Sequence, residues 1–306
     1  MMARKVSFGR VADVAHAGRV AFRGRDERVV IHVLVDPLCP RGLALATRRA
    51  LAAERLGGVV EVAPVGAPPA GERPDAAVVL AGKSDVSELV GSYARSGVPV
   101  GIVVEGALDA PAIELPEQAA ALVGVVACSE PDALPDHLAS WLASATDKGI
   151  ALAANFPFCR RAVVDSLVAR CAVENAAVGA ISLIPGSDLP VMTANQAKLA
   201  LDIAAAYGRG VEPSRAAELA GVVGGGLLWR AVARTLVGML PGVGVLLKAG
   251  VGFGGTMATG NALRLRFEAG LARPASPADE PEAPAVLLAS PDADDDGYVQ
   301  IGGSAE

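Results

Sequence analysis

One short run of the sequence has the residue types that could bind a phosphate group. Gly82, Lys83 and Ser84 end a stretch that begins at Ala77 and fits a loosened phosphate-loop pattern, in which Ala77 replaces the first glycine. In such loops the backbone N–H groups and the lysine surround the phosphates of a nucleotide. Here the intervening residues are apolar and belong to a strand pattern, whereas a phosphate loop needs them beyond the strand. The run favours an ordinary turn into a helix, whose amides could still hold an anion, and an atypical nucleotide site is the alternative.

Two other loops lack the residues that nucleotide chemistry needs. The run Asp36–Gly42 follows the first apolar stretch, but its two prolines remove N–H donors, and it has neither the lysine nor the Ser or Thr of a phosphate loop. The run Glu105–Asp109 has neither the Asn nor the Lys that would read a guanine base. The first apolar stretch is therefore not expected to end in a working phosphate loop.

Histidines and cysteines are too scattered to predict a metal site or a catalytic group. They are His16, His32, His137, Cys39, Cys128, Cys159 and Cys171. The chain contains no C-x-x-C and no H-E-x-x-H, and four separated cysteines do not form a disulfide framework. We expect structural histidines, buried free thiols at Cys159 and Cys171, no catalytic residue and no cofactor.

The elements that would position these loops alternate between strand and helix patterns from residue 28 to 148. Expected strands are 29–35, 59–64, 76–80, 98–104 and 123–127, and expected helices are 40–56, 84–95 and 134–145. This alternation predicts an α/β domain with a mostly parallel, Rossmann-like sheet. Ligands of such sheets bind beyond the carboxyl ends of the strands. The loops to inspect are Asp36–Gly42, Ala81–Asp85, Glu105–Asp109 and Cys128–Asp132.

The order of elements over residues 28–146 resembles a P-loop GTPase domain that has lost its nucleotide motifs. The resemblance rests on the strand at 76–80, the strand at 98–104 after the turn SGVP, and the run VVACSEPDALPDHLASWL. It implies a fold related to nucleotide-binding domains. Every catalytic position that can be aligned is missing, so it implies no GTPase activity.

The chain changes character after residue 150 and becomes rich in Ala, Gly and helix-length segments. Expected helices are 158–180, a segment from 187 or 188 to Tyr207 that ends at Gly208, and a segment that opens at 213–219. Residues 221–261 are small and apolar, with a break at Pro241-Gly242. Three glycine pairs are spaced by four residues, which favours close helix packing: Gly221/Gly225, Gly238/Gly242 and Gly250/Gly254. Such helices could also join two copies of the chain.

Residues 150–268 resemble the domain of unknown function 697 of YcjF-like membrane proteins. Its shared marks are Ile184-Pro185 with Asp188, Gln196, Tyr207-Gly208 and Pro241-Gly242, followed by Gly260 and Ala262. The resemblance implies a helical domain associated with small GTPases and often with membranes, and it implies no reaction. Asp188 is expected to be a helix N-cap, with contact to a GTPase or a lipid headgroup as the alternative. The candidate contact residues are Pro185, Asp188, Arg230, Arg234 and Lys248.

The apolar carboxy-terminal runs are short for a membrane span. The uncharged stretches 219–229, 235–247 and 249–263 are each shorter than the about 20 residues that a span needs. Arg230, Arg234 and Lys248 interrupt them, at a cost of roughly 2.5–3.5 kcal/mol each at a bilayer centre. A soluble helical hairpin with a surface for lipid or a partner is favoured, and a hairpin inserted in the bilayer is the alternative.

Charge is distributed unevenly along the 306 residues, whose formal net charge is −6. Residues 271–306 carry −7 and are rich in proline, which predicts a disordered acidic tail. Residues 1–27 are basic and lack the apolar core of a signal peptide, and they are expected to dock loosely or fray rather than to bind anionic lipid. The sequence shows no concentrated basic face of the kind that would predict nucleic-acid binding.

These patterns together predict a non-enzymatic cytoplasmic protein that docks on the inner membrane face or on a partner protein. The alternative is an NTPase with an atypical phosphate site at Gly82, Lys83 and Ser84.

Overall fold

A parallel β-sheet is the centre of the amino-terminal half. The computed structural model describes residues 18–181, 189–209 and 244–272. The strands are β1 (Val29–Val35), β2 (Gly58–Pro64), β3 (Ala76–Leu80), β4 (Val100–Val104) and β5 (Val123–Ala127). All of them run parallel in the order β2-β1-β3-β4-β5. The expected α/β class with a parallel sheet is confirmed.

One helix precedes the first strand, and the others lie between the strands or follow the sheet. They are α1 (residues 18–26), α2 (Arg41–Ala50), α3 (Ser87–Arg95), α4 (Glu117–Ala120), α5 (Leu134–Ala145), α6 (Gly149–Asn155), α7 (Arg160–Ile181), α8 (Leu189–Ala206) and α9 (Gly244–Ala272). After the sheet, the described residues are therefore mostly helical. As expected, α8 is followed by Gly208 in the left-handed region, with φ of 71°.

Two helices are shorter than the sequence pattern predicts. The prediction of a helix to residue 56 is wrong, because α2 ends at Ala50 and the N–H of Glu54 bonds to the carbonyl of Asn155 instead. The helix predicted from Ser84 begins at Ser87. The N–H of Ser87 bonds to the carboxylate of Asp85, which lies just before the helix.

Each face of the sheet has its own hydrophobic core. On one face Leu34, Val79 and Ile102 pack with Val90 of α3. On the other face α2 and α5 cover the strands, and Trp141 of α5 lies over two strand glycines, Gly101 and Gly124. A Cβ at Gly101 would lie 2.8 Å from the Trp141 ring and one at Gly124 2.4 Å, so both positions require glycine.

The core on the α5 face continues without a break into the helices that follow the sheet. It contains strand residues such as Ile31 and Val78 together with Phe156, Ile203 of α8 and Leu263 of α9. The described residues up to Glu268 belong to one compact unit. Burial in this shared core fixes the helices after residue 148 against the sheet.

Helix α9 lies very close to α7. A Cβ at Gly252 would be 2.7 Å from the Asn175 carbonyl oxygen, and one at Gly260 would be 2.4 Å from a Val168 methyl group. Of the predicted pairs, Gly250/Gly254 is the one within the described residues, and a Cβ at either glycine has no described atom within 4 Å. The close approach therefore uses different glycines from those that the spacing indicated.

Several predictions fall outside the described residues: the basic residues 1–17, the helix at 213–219, most of the 221–261 segment and the acidic tail. Within the three described ranges, no helix is both long enough and apolar enough to cross a membrane.

Candidate functional site

The carboxyl edge of the sheet brings together the loops after β1 and β3. The chain leaves β1 for β2 on one side of it and reaches β3 on the other side, so β1 and β3 form the switch point at which doubly wound sheets bind ligands. Residues Asp36–Pro40 follow β1, and residues Ala81–Val86 follow β3. The predicted site residues Gly82, Lys83 and Ser84 are therefore at the place where the fold predicts a ligand.

A buried carboxylate accepts hydrogen bonds from backbone N–H groups in the crevice between these two loops. Asp36 is fully buried. Its Oδ1 accepts the N–H of Leu38 at 2.8 Å, and its Oδ2 accepts the N–H of Ser84 at 2.8 Å. The N–H of Cys39 bonds to the Asp36 carbonyl at 3.0 Å. The backbone N–H groups that would bind a phosphate are thus already hydrogen-bonded to Asp36.

Hydrogen bonding keeps Asp36 ionised although it is buried. Burial raises the pKa of this carboxyl, but the hydrogen bonds from the backbone of Leu38 and Ser84, the Ser84 hydroxyl and the Gly82 backbone lower it by more. The net pKa of Asp36 lies below its ordinary value. At neutral pH the crevice therefore contains a fixed negative charge.

The loop after β3 is shaped around this carboxylate. A Cβ at Gly82 would lie 2.6 Å from Cγ of Asp36 and 2.8 Å from the backbone of Leu38, so Gly82 permits the close approach of two chain segments. Lys83 and Ser84 are exposed. The structure brings Gly82 and Ser84 to Asp36, but gives the Lys83 side chain no partner among the described residues.

Two large apolar side chains are exposed to solvent at the carboxyl edge of the sheet. Leu38 is 65% exposed and Leu108, in the loop after β4, is fully exposed. The polar groups of the neighbouring loops pair locally: the N–H of Gly106 bonds to Asp109, and the Cys128 thiol bonds to the carbonyl of Glu130. This edge therefore presents two exposed leucines beside the exposed side chains of Lys83 and Ser84.

No family model, curated protein or solved structure matches this chain. The two resemblances therefore stay predictions, and the residues must carry the functional argument.

The predicted contact residues of the helical half cannot be placed at a site. Pro185, Asp188, Arg230 and Arg234 lie outside the described residues. Lys248 lies in α9, but its side chain is not described.

The histidines within the described ranges make structural contacts. Nδ1 of His32, which is buried in β1, lies 2.8 Å from the Tyr93 hydroxyl, and its Nε2 is 3.5 Å from Glu61, too far for a good hydrogen bond. His137 contacts the Ala127 carbonyl. Cys128, Cys159 and Cys171 are buried free thiols, and Cys39 is a partly exposed free thiol. No group of three or more potential ligands for a metal occurs in the described part of the chain.

A second candidate site lies in the helical half, where the sequence patterns predicted none. A cavity of about 370 Å³ lies between α1 and the helices α5 to α8. Its charged lining residues are Asp147, Arg170, Glu174, Lys198 and Asp202, and its apolar wall includes Val163, Leu167 and Leu199.

Asp202 is the buried charge of this cavity. It is 8% exposed. Burial raises its pKa to about 6, although the positive charges of Lys198 and Arg170 lower it. A signal was present in the sequence, because Asp202 is the one acid in the apolar run Leu199–Tyr207. A strongly perturbed acid on a cavity wall is a candidate functional residue.

Proposed function

We propose that this chain is a non-enzymatic docking protein that binds a protein partner, such as a GTPase, at the cytoplasmic face of the inner membrane. The observation that carries the proposal is the Asp36 carboxylate, which takes the amides of the crevice where a nucleotide phosphate would bind. The membrane and the GTPase come from the resemblance of residues 150–268.

The occupied crevice is unsuited to a triphosphate for an electrostatic reason. A phosphate at these amides would displace the Asp36 carboxylate from the N–H groups of Leu38 and Ser84. It would also lie beside a buried negative charge, where the low dielectric makes repulsion strong. The positive charge of Lys83 alone could not offset both the lost hydrogen bonds of Asp36 and the repulsion. This argues against the alternative, an NTPase with a phosphate site at Gly82, Lys83 and Ser84.

Exposed leucines supply a surface for a protein partner. The order β1-β3-β4 places the loops of Leu38 and Leu108 on the two sides of the loop that carries Lys83. Large apolar side chains grouped on a surface mark interaction sites more often than isolated ones do. The carboxyl edge therefore favours apolar contact with another protein over capture of a charged small molecule.

Calorimetric titration with GTP and with ATP in the presence of Mg²⁺ tests the nucleotide part. We expect no saturable heat for the unaltered chain and none for Lys83→Ala. Micromolar binding that disappears in Lys83→Ala would refute the proposal and establish the alternative.

A photo-crosslinking amino acid placed at position 38 or 108 in living cells tests the docking surface. We expect a discrete adduct that contains a P-loop GTPase. The matched control is position 56, because Leu56 is also fully exposed but precedes β2 at the opposite edge of the sheet. No adduct at 38 and 108, or equal adducts at 56, would contradict the assignment.

Carbonate extraction of native membranes tests the location. A docked protein should sediment with membranes at low salt and should be released by carbonate. Recovery entirely in the supernatant at low salt would contradict the membrane part of the proposal.

A further inference from the structure

The helical cavity gathers charges that the described chain leaves unpaired. Arg170 and Glu174 are one turn apart on α7, and Lys198 and Asp202 are one turn apart on α8. Among the described residues, none of these four side chains makes a hydrogen bond or an ion pair. Some charges elsewhere on the described surface are paired, as in the ion pairs of Arg264 with Asp165 and of Arg55 with Asp26.

Asp202 is the member for which the lack of a partner matters most. It is more than nine-tenths buried and lines the cavity. A buried carboxylate without hydrogen-bond donors is unfavourable, and proteins rarely keep one unless it is paired or binds a ligand. Lys198 and Arg170 act on it through space, but neither comes within ion-pair distance. The carboxylate can therefore accept bonds from a group inside the cavity.

The arrangement of charges fits a ligand with two opposite charges. Asp202 accepts hydrogen bonds only, so it selects a donor with positive charge such as an ammonium group. Arg170 and Lys198 offer donors to an anionic group beside it. A purely cationic ligand would leave Arg170 and Lys198 without an anionic partner. A purely anionic ligand would be repelled by Asp202 and Glu174.

We propose that this cavity binds a small zwitterion, whose ammonium group pairs with Asp202 and whose phosphate or carboxylate pairs with Arg170 and Lys198. Its volume of about 370 Å³ is at the lower end of the roughly 300–1,000 Å³ of small-molecule sites. Val163, Leu167 and Leu199 form an apolar wall for the carbon chain of the ligand. This site is separate from the carboxyl edge of the sheet and does not rest on the proposed function.

Calorimetry on the full chain tests the site with four probes. Phosphoethanolamine and L-serine carry both charges, ethanolamine carries the ammonium alone, and inorganic phosphate carries the anion alone. We expect at least one zwitterion to bind with a Kd of about 1 mM or lower and at least about tenfold more tightly than either single-charge probe. The tighter zwitterion tells whether the natural source is a lipid headgroup or an amino acid. Absence of binding by both zwitterions, or equal binding of inorganic phosphate, would overturn the proposal.

Three variants locate the bound molecule. Asp202→Asn should fold, because it removes an unpaired buried charge, and should weaken zwitterion binding at least about tenfold. Lys198→Gln, at an exposed position, should weaken the same probe without disturbing the core. The matched control, Asp136→Asn, removes an exposed acid of α5 outside the cavity and should bind as the unaltered chain does. Unchanged binding in both Asp202→Asn and Lys198→Gln would refute the site.

Discussion

Asp36 and Asp202 are both buried, yet their surroundings have opposite effects on ionisation. Asp36 accepts backbone N–H groups from two loops, which hold its pKa below the ordinary value. Asp202 has no such donors in the described structure, so burial dominates and raises its pKa to about 6. Burial alone therefore does not decide the charge of an acid, because the donors around it decide the sign of the shift.

Replacement of Asp202 by asparagine should stabilise the protein, and more so at high pH. The ordinary pKa is 3.8 and the folded value is about 6, so between these values the folded state holds more protons than the unfolded state. The free energy of unfolding therefore falls as pH rises from about 4 to 6, by on the order of 3 kcal/mol. Urea unfolding should show Asp202→Asn gaining about 3 kcal/mol at pH 8 and about 1 kcal/mol at pH 4.5.

The control for this experiment is Asp36→Asn. Its pKa is lowered in the folded state, so its carboxylate stabilises the fold at neutral pH, and this contribution is lost only as the pH falls below the ordinary value. Asp36→Asn should therefore cost about 1–3 kcal/mol at pH 7, since the two N–H groups bond to different oxygens and the amide NH2 that replaces one oxygen cannot accept a hydrogen bond. A loss of stability in Asp202→Asn at pH 8 would contradict our account of that residue.

At this scale the sequence allowed part of the first candidate site to be predicted and none of the second. Gly82, Lys83 and Ser84 were placed at the correct edge, because a strand followed by Gly and a capping residue has a local signature. The partner of that loop, Asp36, is 46 residues or more away in the chain, and no local pattern gives such a contact. Asp202 was missed because the sequence pattern does not show how α1 and the helices α5 to α8 pack around a cavity.

At the scale of elements, periodicity predicted the strands well and the helix contacts poorly. β1, β3, β5 and α5 have the predicted bounds, because continuous β-branched runs and a clear amphipathic run fix them locally. The glycines of α9 show the limit of this reasoning. The spacing of Gly250 and Gly254 is correct for a close helix contact, but many glycines share that period, and only the fold selects Gly252 and Gly260.

Alanine substitutions in α9 should separate these glycines. Gly260→Ala would place its methyl group against Val168, so we expect a loss of about 1–3 kcal/mol from overpacking, reduced by the better helix propensity of alanine. Gly250→Ala, which meets no described atom, should be neutral or should stabilise by up to about 1 kcal/mol. The two midpoints of thermal unfolding measure the difference. Equal effects of both substitutions would show that α9 does not pack on α7 through Gly260.

At the scale of the whole molecule, the boundary between the halves is predicted in the sequence at residues 148–150, whereas one hydrophobic core extends across it. Phe156 is fully buried between the sheet and the helices, and the side chain of Asn155 and the ring of Phe156 lie about where a Cβ of Gly58 would be, each at 3.0 Å. Arg160 forms an ion pair with Glu54 across the same junction. A change in composition along the chain marks a change of secondary structure and does not by itself divide a core.

Residues 28–268 should consequently unfold as one cooperative unit. Differential scanning calorimetry should give a single transition, with calorimetric and van't Hoff enthalpies that agree. Phe156→Ala should reduce the free energy of unfolding by about 3–5 kcal/mol and so lower the midpoint of this transition. The transition should stay single, because the cavity is created in a core that both halves share. Leu56→Ala, on a fully exposed side chain of the same region, should leave the midpoint nearly unchanged. Two resolved transitions in the unaltered chain would instead show that the sheet and the helices are independent domains, since a shared core cannot melt in two steps.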